Sequence, residues 1–399
     1  MSFFSFSSGK NKEEVSAVFH IGSGNVNGYL VKLSKISKPE IVYAIKVPIS
    51  FQKNIDLERH FSLMIKSLDS ALKDIQKKGL AHLNFTGLKN HGVRSAFYIL
   101  SSPWCVSQTK IIKIKKDKPF EISIDSIETV IDDQEGKFLS DDSTGGSKII
   151  EKKIIEAKLN GYKMNEIYGK KAKDVELAFF MTSAPEYALK EVENVARKYF
   201  NFRSFDFHSS ALSLFSAIRD IYSGEENFIF IDVHGELTDI SIIKDNIFAE
   251  SVSFPLGKNF FARQISKNFR VSMEEAFSLI NLRFGDKSDS ATSLKVQAAI
   301  DASLEDWLNK FHSILASLSS CMYIPRTVFM AADDEIDAFL VKKLKEEKFS
   351  QFSLTEESFN VIILDSKSLS EYCGSYKDFE KEPSAKLECV FLNKIFNAK

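Results

Sequence analysis

Cysteine is scarce in this 399-residue chain. There are four, Cys105, Cys321, Cys373 and Cys389, and no two form a C-x-x-C pair. With no secretory segment ahead of them, the expectation is reduced thiols in a cytoplasmic protein. Long apolar runs are missing too: none approaches the ~18 residues that a membrane-spanning helix needs. Excess charge is absent, since 53 Lys and Arg face 54 Asp and Glu. That balance gives nucleic acid nothing to favour, and no nucleic-acid motif is present.

Phenylalanine, by contrast, is abundant, at 35 residues. Many sit in strand-like runs ("AFYIL", "ELAFFM", "NFIFI"), which reads as an aromatic core. The chain is long enough for two or more cores. Its 44% hydrophobic and 27% charged content is that of a soluble globular protein. The opening "MSFFSFSSGKNK" puts Phe3, Phe4 and Phe6 before Lys10 and Lys12. A frayed terminus is the reading, with a weak interfacial tether as its alternative.

Periodicity gives the organisation. From Val15 to Val47 the pattern is strand, glycine turn, strand, strand, with Gly22, Ser23 and Gly24 in the turn. Small residues there let backbone N–H groups converge on one spot. A helix over Leu57–Lys78 follows, with Phe61, Ile65, Leu68, Leu72 and Ile75 at helical spacing. A different unit begins near Arg94: two strands around Pro103-Trp104, a helix capped by Ser123 or Asp125, a polar loop at Ser140–Lys148 and a further strand. The main pattern resumes with the strand "VELAFFMTSAP", then helix, strand and helix. At Asn227 strand, turn, strand, strand starts again, followed by helices over 258–285 and 291–320. The last helix, "AKLECVFLNKIFN", is expected to close the second half, a membrane-surface anchor being its alternative. Two copies of one unit facing each other suggest a nucleotide clamp.

In "FHIGSGNVNGYLVKL" and "FIDVHGELTDISIIKDNIFAESVSFPLGKNFFARQI" the chain resembles the two phosphate loops of the actin-like ATPase superfamily. The stretch from about Arg94 to Lys171 sits where the FtsA/PilM branch carries an extra subdomain. The resemblance implies an α/β, actin-like (ribonuclease H-like) duplicated two-lobe fold with an inserted FtsA/PilM-type α+β subdomain. The lobes would be residues 1–93 with 172–222, and 223–265 with 325–399. Residues 94–171 would be the insertion and 266–324 a helical subdomain of the second lobe.

The family's phosphate and metal residues carry over to Gly22, Ser23 and Asn25 in the first loop and to Asp232, Gly235, Thr238 and Asp239 in the second. An active member would use Asp232 or Asp239 to activate water, with ATP and Mg²⁺ bound. Departures are equally plain. His20 stands where the family has a Mg²⁺-holding aspartate, and imidazole suits softer metals. His234 and Glu236 replace glycines. A glutamate there would set a charge against phosphate, costing about 4 kcal/mol at ~4 Å in a surface-like dielectric. For Thr238 and Asp239 the structural alternative is side-chain bonding that holds the turn.

On the helix that should grip the nucleoside, Phe277 replaces an acid and Ile280 or Asn281 a lysine. The expected Gly-Gly of the adenosine motif is Ala331-Ala332, followed by Asp333 and Asp334. The expectation is a degenerate clamp with no cofactor: a pseudo-ATPase scaffold at the cytoplasmic side of the membrane. Its partner would be a cytoplasmic peptide of a membrane protein, or a cell-division or pilus protein, bound through residues 94–171. The edge near Pro103-Trp104 and the basic strip of Lys113, Lys115, Lys116 and Lys118 suit an acidic peptide or anionic lipid; a solvated strand face is the alternative. Peripheral membrane attachment and homo-oligomers or filaments are family properties the resemblance carries along. The competing expectation is an active divergent ATPase that forms filaments or switches conformation with nucleotide.

Overall fold

The computed structural model describes residues 13–85, 93, 95–140, 146–202, 205–285, 291–320, 322–331, 335–347, 358–375 and 382–398. The expectations for Phe3, Phe4, Phe6, Lys10, Lys12, Arg94, Cys321, Ala332, Asp333, Asp334 and loop residues 141–145 lie outside them.

The chain opens with an antiparallel meander, β1 (Glu13–Ile21), β2 (Asn25–Ser34) and β3 (Glu40–Pro48). α1 (Leu57–Asp74) continues through a π-turn at Ile75–Gly79 into α2 (Leu80–Phe85). β4 (Ala96–Leu100) then returns parallel to β1. Next come β5 (Val106–Glu121), α3 (Ile124–Ser140), β6 (Ser147–Leu159), the short β7 (Tyr162–Lys163) and β8 (Lys171–Pro185). Ser123 is the cap of α3, its hydroxyl accepting from the Ser126 N–H at 3.2 Å. α4 (Glu186–Arg197), β9 (Phe205–Ser209) and α5 (Ser210–Ile221) follow.

The opening theme then repeats. β10 (Phe228–Val233), β11 (Thr238–Lys244) and β12 (Ile247–Phe254) form a second meander, and α6 (Lys258–Phe269), α7 (Met273–Gly285) and α8 (Ala291–Ser319) follow it. β13 (Thr327–Ala331) returns parallel to β10. α9 (Glu335–Glu346), β14 (Asn360–Leu364), β15 (Gly374–Ser375) and α10 (Pro383–Ala398) complete the chain.

The strand orders are β15-β3-β2-β1-β4-β9, β12-β11-β10-β13-β14 and β5-β8-β6-β7. The first two share one motif: a meander whose first strand is flanked on its other side by a parallel strand. Because β1 and β10 lie centrally, β10 is a nearly continuous apolar run buried along its length, and β1 is buried from Val15 to Ile21. One core fills the space between the two sheets, joining Val18, Tyr29 and Phe97 to Phe228, Phe230 and Phe329. α1 and α4 cover the outer face of the first sheet, and α6 to α9 that of the second. The small sheet has its own core with α3. Phenylalanine is spent in these interiors, as expected: Phe19, Phe179, Phe180, Phe228, Phe248 and Phe329 are fully buried.

Three expectations need correction. "VELAFFMTSAP" joins the small sheet as β8, paired on both sides by β5 and β6, because its Leu177, Phe179 and Met181 face that sheet's core. The helical stretch over 258–285 is two helices, broken where Arg270 takes a left-handed conformation at φ 57°. α10 closes the first half, packing on α5 and β2 with Leu387, Phe391 and Leu392 in the inter-sheet core.

Candidate functional site

Each meander turns at a glycine-containing loop, and the fold brings the two loops together. In the first, the Gly22 N–H donates to the Asn25 carbonyl at 3.1 Å. The Gly22 carbonyl accepts from the Trp104 indole at 2.8 Å. In the second, Gly257 of the "PLG" turn donates to the Glu236 carbonyl at 3.1 Å. The first N–H groups of α6, at Lys258 and Asn259, donate to the His234 and Gly235 carbonyls at 2.9 and 2.8 Å.

The loops touch backbone to backbone. A Cβ on Gly24 would lie 2.6 Å from the Gly235 Cα, and one on Gly235 would lie 2.3 Å from the Gly24 Cα. Glycine is required at both positions for that approach. The Ser23 hydroxyl accepts the Glu236 N–H at 3.0 Å, tying one loop to the other.

Imidazoles stand in the mouth between them. His20 lies with Nδ1 2.6 Å from Glu388 Oε1 and Nε2 3.3 Å from the Ser101 hydroxyl. Glu388 comes from α10, is fully buried, and also accepts the Tyr29 hydroxyl. The His234 ring centre is 6.2 Å from that of His20. Its Nε2 sits 3.4 Å from Asp232 and 3.3 Å from Asp239. Burial works against a charged His234, but the two carboxylates outweigh it and hold the imidazolium up to about 9. Burial also raises Asp232 despite the neighbouring imidazole. Asp239 is lowered: burial opposes this, and bonding from His234, Ser253 and Ser102 overcomes it.

Glu236 behaves differently from the sequence expectation. Its carboxylate is gripped by both terminal nitrogens of Arg263 and by Asn259 Nδ2 at 2.8 Å. Arg263 also reaches the Gln52 carbonyl in the first half at 3.4 Å. The charge expected to repel phosphate is therefore neutralised inside the protein. Thr238 is engaged in the turn, donating to the Leu256 carbonyl at 2.8 Å and accepting the Trp307 indole at 3.0 Å.

Gly22, Ser23, Asn25, Asp232 and Gly235 all line one cavity of about 220 Å³, together with His20, His234 and Glu388. Asp239 lies behind the second loop, on a separate cavity of about 260 Å³. Phe277, the residue replacing the nucleoside-binding acid, stacks on Phe51 across the cleft at 5.3 Å. Ala331 is buried at the cavity wall. Sequence inspection missed Glu388, Tyr29, Arg263, Asn259 and Phe51. Glu388 lies 368 residues from His20, and no spacing pattern links them. Arg263 carried a faint signal, as a lone cation in "NFFARQI". Among the described residues, no group of three or more His, Cys, Asp and Glu side chains is arranged for a metal ion.

A larger hollow of about 1250 Å³ lies between the small sheet and the first sheet, walled by α3, β6, α4 and β9. Ile127, Ile131, Phe205 and Phe207 supply apolar surface. Glu151 crosses its floor: one oxygen meets His208 Nδ1 at 2.7 Å, and the other accepts the Ser209 N–H at 3.1 Å and its hydroxyl at 2.7 Å. Among the described residues, β9 pairs with β4 alone and residues 147–157 of β6 with β8 alone, while the Ser209 N–H at the end of β9 is taken by Glu151. β5 is likewise an edge strand, with Val106 and Ile111 exposed. Of its basic strip, Lys113 pairs with Glu176 at 2.9 Å and Lys116 lies over the Phe120 ring. Among the described residues, no helix is long and apolar enough to cross a membrane.

No protein-family model matches the sequence, and no curated protein matches it. Solved structures do. A chain of the PilM–PilN type IV pilus biogenesis complex superposes with a TM-score of 0.62 at 10% identity, covering 95% of this chain and 98% of its own. Spiroplasma citri MreB 5 bound to AMPPNP gives 0.44 at 11% identity, with 96% of each chain covered. A Bacteroides thetaiotaomicron protein with actin-like ATPase fold and unknown function gives 0.42 at 9%, covering 88% and 91%. The doubled meander, the parallel return strand in each half and the near-complete overlap with the PilM–PilN chain show that this protein has the actin-like ATPase fold in a PilM-like form.

Proposed function

We propose that this chain is a PilM-type scaffold whose nucleotide clamp has become a structural joint and whose work is to bind a partner polypeptide. The setting would be pilus assembly or cell division, at the cytoplasmic side of a membrane. One observation carries the first half of this reading: the space between the loops is crossed by His20 and His234, each committed to buried carboxylates.

Magnesium-bound nucleotide does not fit these residues. The remaining cavity, about 220 Å³, is below the ~300 Å³ at which small-molecule sites usually begin. His20 offers imidazole where a hard cation wants oxygen. The Phe51–Phe277 stack closes the nucleoside corner. In the first loop the Gly22 N–H serves its own turn, and the Ser23 hydroxyl accepts from the Glu236 N–H.

The second half of the reading rests on the inserted unit, proposed as residues 94–171. The PilM–PilN complex is a protein assembly, and its fold overlaps this chain from end to end. Of the two surfaces the unit offers, the hollow beside β9 suits a polypeptide better than the outer edge of β5. It combines apolar walls with strand edges left unpaired among the described residues, the elements by which an extended segment is held.

Thermal unfolding with saturating ATP and Mg²⁺ tests the clamp. A ligand at 100 times its Kd stabilises by about 2.7 kcal/mol. The expected result is an unchanged melting temperature. A rise that disappears in Asp232→Ala would reverse the proposal in favour of a divergent ATPase.

A further inference from the structure

Three side chains beside the first loop stand in an order that a scaffold does not call for. Ser101 follows β4, which runs parallel to β1 with Leu100 opposite Ile21. Its N–H donates to the Ile21 carbonyl at 3.1 Å, so the two strand ends are held level. That register sets the Ser101 hydroxyl 3.3 Å from Nε2 of His20. The other ring nitrogen, Nδ1, lies 2.6 Å from Glu388 Oε1.

The direction of these bonds follows from Glu388. An ionised carboxylate can only accept, and this one already accepts the Tyr29 hydroxyl on its other oxygen. Nδ1 of His20 must therefore carry the proton. A neutral imidazole has one N–H, so Nε2 keeps its lone pair for Ser101. Hydroxyl, imidazole and carboxylate thus form the chain that activates a serine. The ring takes the hydroxyl proton, and the acid fixes the tautomer and steadies the charged ring. A separation of 3.3 Å is long for such a bond, but these contacts commonly tighten only around a substrate.

A nucleophile needs room beside it. Ser101 lines the cavity of about 260 Å³ behind the second loop. Ser210, at the start of α5, lines it too; it is 4% exposed, and its hydroxyl has no hydrogen-bond partner among the described residues. A buried donor with nothing to bond is what a developing oxyanion requires. Asp232 and Asp239, with one imidazolium between them at His234, leave the walls negative. That charge disfavours an anionic substrate and suits a neutral one, and the volume limits it to a short acyl group.

We propose that Ser101 and His20 are catalytic residues, positioned by Glu388, for hydrolysis of a neutral ester of a short carboxylic acid. The Ser101 oxygen bonds to the ester carbonyl carbon as its proton passes to His20 Nε2. The bond from that carbon to the alcohol oxygen then breaks, and His20 gives the proton to the departing alcohol. Water repeats the sequence on the acyl-serine, yielding the carboxylic acid and free Ser101. This activity goes beyond the scaffold reading and depends on no partner.

Diisopropyl fluorophosphate tests it on the full chain, read by intact mass and peptide mapping. An ordinary serine ignores this reagent. An activated one forms an oxygen–phosphorus bond, expels fluoride and passes its proton to the histidine. The expected result is a single adduct at Ser101, with p-nitrophenyl acetate hydrolysis lost in step. Ser101→Ala should take no label and cleave no ester while melting at the wild-type temperature. Glu388→Gln, compared where its circular dichroism matches wild type, should react at least about a hundredfold more slowly at pH 7. The deficit should narrow at pH 9, where hydroxide takes the serine proton, a change that a purely structural Glu388 would not give. Ser101 left unlabelled after prolonged excess reagent would overturn the proposal. Labelling that Glu388→Gln does not slow would overturn it too, since the relay would then be idle.

Discussion

His234 holds its proton because Asp232 and Asp239 both face it, and their attraction exceeds the cost of burying the charge. Its folded value, about 9, stands above the ordinary histidine value of 6.5. The stabilisation it contributes is therefore fully present below about pH 6.5 and is lost as pH rises through about 9. The gap corresponds to about 3 kcal/mol at 1.36 kcal/mol per unit. Urea unfolding at pH 6.5 and pH 9.5 should show a loss of that order, and the loss should shrink in His234→Gln. An equal slope in both proteins would refute the assignment. Residue chemistry also explains the side chains at positions 234 and 236 of the second loop. His234 sets one positive charge between two carboxylates, and Glu236 supplies the acid that Arg263 and Asn259 hold. These side chains fill the joint with charge pairs, although Asp232 Oδ2 and Asp239 Oδ1 are buried there without a hydrogen-bond donor.

At the scale of elements, α10 supplies a buried carboxylate beside the first loop. Glu388 enters a fully buried position and accepts from both Tyr29 and His20. Glu388→Ala would leave two buried donors without an acceptor, a loss of about 3 kcal/mol at roughly 1–3 kcal/mol per orphaned group. Chemical denaturation gives the value directly, and a loss below 1 kcal/mol would show that the contact matters little. Much of this level was legible beforehand. A buried apolar run marked β10 with two strands after it, helical spacing marked α1 and α8, and Ser123, one of two candidate caps, marked the start of α3. Packing assignments were less legible. "VELAFFMTSAP" and "AKLECVFLNKIFN" announce a buried strand and an apolar-faced helix, yet an apolar face does not say which surface will cover it. β8 went to the small sheet and α10 to the first half on that account.

For the molecule as a whole, contacts that need no ligand join the two halves. The loops meet at Gly24 and Gly235, Ser23 bonds Glu236, Arg263 reaches Gln52, and Phe51 stacks on Phe277. Gly235→Ala places a methyl group against backbone on the facing loop, which only separation of the loops can relieve. A loss of about 2 kcal/mol or more is expected, with a larger radius of gyration by X-ray scattering. An alanine variant as compact and stable as wild type would show that the loops are not truly in contact.

The sequence by itself determined the local order of strands and helices, the doubling of the strand–turn–strand–strand unit, and the positions of Gly22, Ser23 and Gly235 in the turns. Those features depend on side-chain periodicity and on backbone freedom at single residues, which act over a few positions. Only tertiary structure decided that Glu388 meets His20 and that Arg263 cancels Glu236. Electrostatic partnership depends on distance in space, and residues hundreds of positions apart become neighbours only when the sheets close on one another.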